Sequence, residues 1–352
     1  MALRAAVVGG SGYTGAELLR LLAGHPDIEV VVVTADSNAG AAVADLYPSL
    51  APAYPSVRYE AATPEDLAGI DVAFLALPHG HSQRLVPDLA DTVTHIVDLG
   101  ADFRLPADSY AEWYGEAHTA PEHLASFAYG LPELGRADLV ARPHVAAPGC
   151  YPTAATLALA PLLANGLADP QGIVVDAASG ISGRGRGLSA PSLFAEANEA
   201  YTAYGLLTHR HTGEIEHALG MAAPEAATPP TVLFTPHLVP MTRGVFATCH
   251  ARPVAGPAGE GLGTEDLLAV YREHYADEPF VVVSETPPTT KATAGSNACH
   301  LTVRYDPRTR SILALAAIDN LVKGAAGQAV QATNVVLGLP EDTGLTAVGI
   351  MP

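Results

Sequence analysis

Three stretches of this chain place reactive side chains where a helix or a loop could use them. In "AAPGCYPTAATLALAPLL", Ala146 through Leu163, a cysteine stands between Gly149 and a Tyr-Pro pair at the entrance to a predicted helix. Pro152 suits a first helical turn, where its missing N–H would have no intrahelical partner, and the Ala/Leu run behind it has strong helix propensity. Cys150 then sits at the positive end of the helix, which favours the thiolate, the nucleophilic form. In "YGLLTHRHTGEIEHAL", His209 and His211 precede a helix start around Gly213 to Glu216. Two readings are open there: a metal cluster of His209, His211 and Glu214, or a histidine that gives and takes a proton beside a thiolate. Three ligands on one short turn, with no further group at metal-site spacing, favour proton transfer and no metal. In "GIVVDAASGISGRGRG" a strand runs into a Gly/Ser/Arg loop, and Arg184 and Arg186 are two of only 18 basic residues in the chain. Guanidinium groups match phosphate or carboxylate geometry, so this loop suits an anion.

These groups need elements to hold them. "LRAAVVGGSGYTGAELLRLLAGHP" reads as a short strand, a glycine turn and an amphipathic helix ending near Gly24, the opening of a βαβ unit. Gly10, Gly12 and Gly15 fit G-x-G-x-x-G, and Gly9, Gly12 and Gly15 equally fit G-x-x-G-x-x-G, so the frame is open. Either frame lets backbone approach a pyrophosphate whose charge the helix N-terminus receives. A second strand, "IEVVVVTADS", ends where a dinucleotide site reads the ribose 2′ position. Asp36 there favours a free 2′-hydroxyl, whereas Thr34, Ser37 and Asn38 could donate to a 2′-phosphate, and no Arg stands nearby in the sequence. "DVAFLALP" runs into "HGHS", and "THIVDLG" into "ADFRL" with Arg104, so both loops should face a cofactor cleft. His79 and His81 read as cleft-lining or capping residues.

In the second half, "PHLVPMTRGVFATCHARPV" and "NACHLTVRYDPRTRSILALAAID" alternate as strands of an antiparallel sheet, with the flexible loop "AGPAGEGLG" and the helix "TEDLLAVYREHYADEPF" between them. Cys249 and Cys299 fall within these strands as core thiols. "DNLVKGAAGQAVQATNVVLGLP" is a late helix that should return the chain to its first domain. With 352 residues, 49% hydrophobic, the chain has room for two domains. Its net charge of −19 argues against nucleic acid or an anionic membrane as partner. Three dispersed cysteines, no bilayer-length apolar run and no secretory pattern at the start lead us to expect a cytoplasmic protein.

Together, "GGSGYTGAEL", "LALPHGHS", "DLGADFRL", "YGLPEL", "PGCYPT", "SGISGRGRG", "HRHTGEI" and "AIDNLVKGAAGQAVQ" closely resemble, in order, the motifs of the N-acetyl-γ-glutamyl-phosphate reductases of arginine biosynthesis, in the aspartate-semialdehyde dehydrogenase-like superfamily. The resemblance implies an α/β fold: a Rossmann-type dinucleotide-binding domain, 1–149 and 319–352, and an α+β catalytic and dimerisation domain, 150–318, with a largely antiparallel sheet. It implies Cys150 as nucleophile and His209 as acid/base residue. It implies NADP(H) held by Gly9, Ser11, Gly12, Tyr13, Thr14, Gly15, Thr34, Ser37, Pro78 and His79, with Ser179, Gly180 and Asn320 close to the nicotinamide. Arg104, Arg186, His211 and Glu214 are implied at a small acyl-phosphate substrate, in a homo-oligomer, dimer or tetramer. Asp36 departs from the usual NADP pattern, and Arg184 stands where a small residue is expected. A reductase of a related acyl phosphate, such as carrier-linked aminoadipyl phosphate or aspartyl phosphate, and a nucleotide-sensing regulator are the other readings.

Overall fold

The structure, a computed structural model, describes residues 2–61, 63–256, 259 and 261–351. In the loop "AGPAGEGLG", Pro257, Ala258 and Glu260 lie outside the described residues. The chain forms two compact units, residues 1–148 with 325–346, and 149–324 with 347–352.

The first unit is built on six parallel strands: β1 (Leu3–Val8), β2 (Ile28–Thr34), β3 (Val72–Leu75), β4 (His95–Asp98), β5 (Phe127–Tyr129) and β6 (His144–Ala146), in the order β2-β1-β3-β4-β6-β5. Parallel sheets are covered on both faces, and β3 accordingly reads as a continuous apolar run, "VAFL", buried at every position. Ala6, Leu75, Val86, Leu89 and Ile96 join its core. The order reverses between β1 and β3, so the loops that leave their carboxyl ends open a crevice there. A late helix, Gly327–Val336, packs on the helix Pro132–Ala141. Gln328 Nε2 donates to Gly130 O at 2.8 Å, and His25 Nε2 lies 3.0 Å from Asn334 Oδ1.

The second unit carries a seven-stranded mixed sheet: β7 (Ile173–Gly180), β8 (Thr202–Ala203), β9 (Val232–Val239), β10 (Val245–Ala251), β11 (Val281–Val283), β12 (Cys299–Asp306) and β13 (Ser311–Ile318), in the order β11-β12-β13-β10-β7-β9-β8. The β7–β9 and β11–β12 pairs are parallel and the others antiparallel, as a largely antiparallel sheet requires. Burial alternates along β7 and β10, so one face meets the helix Cys150–Ala164, which is apolar all round and buried from Tyr151 through Leu163. Pro161 inside that helix has no N–H for the carbonyl four residues back. That carbonyl, on Leu157, instead accepts from Tyr275 Oη at 2.6 Å, while Tyr271 Oη donates to Ala158 O.

Sequence reading assigns 319–352 to the first domain, but the crossing comes later. Asp319 and Asn320 bond to Gly295 and Gly244 of the second unit, and Ile350 N–H returns to Ala294 O at 2.8 Å.

Candidate active site

In the first unit the turn after β1 settles which glycines do what. Gly9 has φ +82°, and a Cβ there would lie 2.4 Å from Ala76 O in the loop after β3. A Cβ on Gly15 would lie 2.6 Å from Gly10 Cα, so the helix Tyr13–Leu22 packs directly on the turn. At Gly12, the residue before that helix, the nearest atom is Gly9 O at 3.6 Å. Tight turn, open approach and close helix packing are the three glycine tasks of a dinucleotide turn, and the surroundings of Gly9, Gly12 and Gly15 suit them in that order. Gly10 is confined for another reason: a Cβ would lie 2.4 Å from Val33 Cγ1. Ser11, Tyr13 and Thr14 ride on the same turn. Tyr47 Oη donates to Ser11 O at 2.9 Å, and Asn38 Nδ2 to Ser11 Oγ at 3.2 Å, which ties the loop after β2 to the turn. Asp36 and Ser37 are exposed, while Thr34 is buried and its Oγ1 accepts the Gly9 N–H at 3.4 Å.

The two loops after β3 and β4 are held to each other. Buried Asp102 accepts the N–H groups of Gly80 at 2.8 Å and Gln83 at 3.1 Å, clamping the turn that begins at Pro78. His79 Nδ1 lies 3.3 Å from Asp102 Oδ1 and its Nε2 3.1 Å from Glu116 Oε1, so both ring nitrogens face carboxylates of its own unit. Arg104 is buried and donates to Ala147 O at 2.8 Å and Leu99 O at 3.0 Å. Its guanidinium fork thus braces the loop after β4. Asp98, fully buried beneath that loop, has its carboxyl pushed up to about 6 by desolvation and by Asp102.

In the second unit Cys150 is the first residue of its helix and partly exposed, while Cys249 is fully buried, its thiol pushed up by desolvation. Buried Glu214 accepts the Gly149 N–H at 2.8 Å, so the His209–Glu214 segment holds the entrance of the Cys150 helix. A Cβ at Gly324 would lie 2.6 Å from Cys150 Cβ: the π-helical turn Val322–Ala326 touches Cys150 there, and only glycine fits. Tyr204 Oη donates to Tyr151 Oη at 3.1 Å and Tyr151 Oη to His237 O at 3.0 Å. The Tyr204 phenol is pushed up to about 12, by burial first and with Cys150 adding to it. Both tyrosine rings meet His209 edge-on, with centroids at 5.8 Å for Tyr151 and 5.4 Å for Tyr204, and His211 lies 4.8 Å away. Burial, with Arg210 adding, pushes His209 down to about 4.

Asn320 is buried, accepts the Gly244 N–H at 2.7 Å and donates to Ser182 Oγ at 2.9 Å. Gly180 is forced, since a Cβ would meet Thr242 O at 2.7 Å, and Ser179 Oγ donates to Gly180 O at 3.2 Å. Arg184 and Arg186 are exposed on the loop beyond. Among the described residues no three His, Cys, Asp or Glu side chains gather as a metal site would need, and no helix is long and apolar enough to cross a membrane. Tyr151, Tyr204 and Gly324 carried no signal of their own in the sequence; each lies within a motif already marked for another residue.

The semialdehyde dehydrogenase NAD-binding domain pattern matches residues 4–141, and the semialdehyde dehydrogenase dimerisation domain pattern matches 150–320. An N-acetyl-gamma-glutamyl-phosphate reductase of Pelotomaculum thermopropionicum is 47% identical, covering 100% of both chains. Those of Symbiobacterium thermophilum and Pseudomonas putida are 48% and 45% identical, covering 99% of this chain. The chain belongs to the N-acetyl-gamma-glutamyl-phosphate reductase family. For this family, aspartate semialdehyde dehydrogenase II of Vibrio cholerae is a fold relative: 15% identity, TM-score 0.70, covering 96% of this chain and 99% of that one. The Candida albicans aspartate semialdehyde dehydrogenase with NADP is another, at 16% identity and TM-score 0.67, covering 96% of this chain and 99% of that one.

Proposed function

We propose that this chain reduces N-acetyl-L-glutamyl 5-phosphate with NADPH, giving N-acetyl-L-glutamate 5-semialdehyde and phosphate, a step of arginine biosynthesis. The observation that carries this reading is Cys150 at the head of a buried helix, beside Tyr151 and Tyr204 whose rings frame His209, in a chain of this family. Cys150 thiolate attacks the acyl carbon, the carbon–oxygen bond to phosphate breaks, and a thioester forms on sulfur. NADPH, when bound, supplies the hydride that this thioester accepts more readily than a carboxylate would. His209 rests neutral with its proton on Nε2, because Nδ1 accepts the His211 N–H, and donates that Nε2–H to the oxyanion. The oxyanion then collapses to aldehyde and returns the electron pair to Cys150 sulfur. Gly9, Gly12 and Gly15 would hold the pyrophosphate of the dinucleotide, with Ser37 and Asn38 near the 2′ position. Arg186 lies exposed on its loop, and its planar guanidinium has the geometry to meet an anionic substrate.

A homo-oligomer, dimer or tetramer, fits the dimerisation-domain match and the apolar surface of the segment after Arg186, where Leu188 is 98% exposed, Phe194 80% and Leu207 75%. A cytoplasmic location fits the acidic composition and dispersed cysteines.

The test runs the reaction backwards: phosphate-dependent reduction of NADP with N-acetylglutamate semialdehyde, beside aspartate semialdehyde. We expect the first aldehyde to be preferred, and Cys150→Ser to retain below about 1% of turnover while still binding NADPH. Preference for aspartate semialdehyde would reassign the substrate, and an active serine variant would end the thioester mechanism.

A further inference from the structure

Sequence leaves the 2′ position without a cation, yet Arg58 is the sole Lys or Arg between Arg20 and Arg84, and the fold carries it back to that position. Residues 57–60 run alongside the loop after β2. Val43 N–H donates to Val57 O at 2.9 Å, Tyr59 N–H to Ala41 O at 3.0 Å, and Gly40 N–H to Tyr59 O at 2.8 Å. Ala42 and Arg58 form an antiparallel bridge. Arg58 is exposed and gives Nη1 to Gly40 O at 2.7 Å, which seats the guanidinium on the turn that holds Asp36, Ser37 and Asn38. The other side of the same turn is the Asn38–Ser11 hydrogen bond, which joins it to the glycine turn.

We propose that Arg58 selects NADPH over NADH by supplying the positive charge for the 2′-phosphate. The proposal rests on the cofactor reading above. A guanidinium has five N–H donors, and one bond to Gly40 O leaves a fork for phosphate oxygens. Asp36 on the same turn repels a phosphate, and Arg58 offsets that charge. Thr34 is buried, in contrast to the exposed Ser37 and Arg58.

The test is direct binding, followed by nucleotide fluorescence, of NADPH and NADH to the wild type, Arg58→Ala and Arg58→Lys across a salt series. We expect Arg58→Ala to weaken NADPH binding at least about tenfold and NADH binding less than about twofold, with Arg58→Lys between. The salt dependence of NADPH binding should become shallower in Arg58→Ala. Equal weakening of both nucleotides would mean that Arg58 only shapes the turn through Gly40, and would overturn the proposal, as would unchanged NADPH binding. A wild type that binds neither nucleotide would instead overturn the proposed function beneath it.

Discussion

The backbone N–H of His211 donates to Nδ1 of His209 at 3.1 Å. This one bond selects the tautomer, since an accepting Nδ1 leaves the proton of a neutral imidazole on Nε2. Burial acts in the same direction by holding His209 at about 4. An imidazolium would need a proton on Nδ1 and would displace the His211 N–H. In the proposed reaction His209 would therefore act as a fixed hydrogen-bond donor rather than as a group that is half-charged near neutrality.

For kinetics this means that His209 contributes no titration near 6.5 to the pH profile of kcat. We expect profiles of the wild type and His209→Ala between pH 5 and 8 to run parallel, offset by about 10²–10³-fold, with NADPH affinity little changed. A limb near pH 6.5 in the wild type that vanishes in His209→Ala would restore the acid/base role.

Gly324 packs its backbone directly against Cys150. Gly324→Ala places a methyl group 2.6 Å from Cys150 Cβ, so the thiol must shift. A misplacement of about 1 Å costs about 10²-fold in rate. We expect kcat to fall by about that factor, with the rate of Cys150 alkylation altered and stability lowered by about 1–3 kcal/mol through overpacking. Wild-type kcat in this variant would show that the π-helical turn can retreat without consequence.

Tyr275 completes a helix that Pro161 leaves one hydrogen bond short. Tyr275→Phe strands the buried Leu157 carbonyl and should cost about 1–3 kcal/mol in urea denaturation. Adding Pro161→Ala restores an N–H donor, so the double variant should regain part of the loss. Strict additivity of the two changes would disconnect them.

His144 makes stability depend on pH. Its Nδ1 accepts the Ile96 N–H at 3.1 Å, and burial, with His95 adding, holds it at about 4. An unfolded histidine titrates near about 6.5, so the unfolded chain binds more protons below that pH. The stabilising contribution is complete above about 6.5 and is lost as the pH falls toward 4. His144→Asn, which keeps an acceptor, should lower the urea midpoint at pH 7 and narrow its gap to the wild type by pH 4.5. A gap that widened on acidification would contradict the assignment.

The legible part of this protein was the part that local rules control. Alternation with period two marked β10, β12 and β13, the glycine turn marked the βαβ opening, and Pro152 with its Ala/Leu run marked the helix headed by Cys150. Motif order was enough to place the chain in its family. Contacts between segments far apart in the chain were not legible, because no periodicity encodes which loop will lie against which. The glycine frame stayed ambiguous until Ala76 O and Gly10 were seen against Gly9 and Gly15. The resemblance implies Glu214 and Arg104 at the substrate, and it gave no sign that buried Glu214 accepts the Gly149 N–H or that buried Arg104 donates to Ala147 O, contacts made across long stretches of chain.

The sequence by itself determined the reactive groups and the elements that carry them: a thiol at a helix entrance, two histidines before another helix, and a dinucleotide turn. Each is a matter of a few neighbouring residues, where propensity, capping and side-chain chemistry act directly. Only the tertiary structure decided their states: the burial that holds His209 neutral, the crowding of Cys150 by Gly324, and the return of Arg58 to the turn after β2. The physical reason is that burial, close packing and charge balance are set by atoms in space, and the fold brings Gly324 to Cys150 across most of the second unit's length of chain.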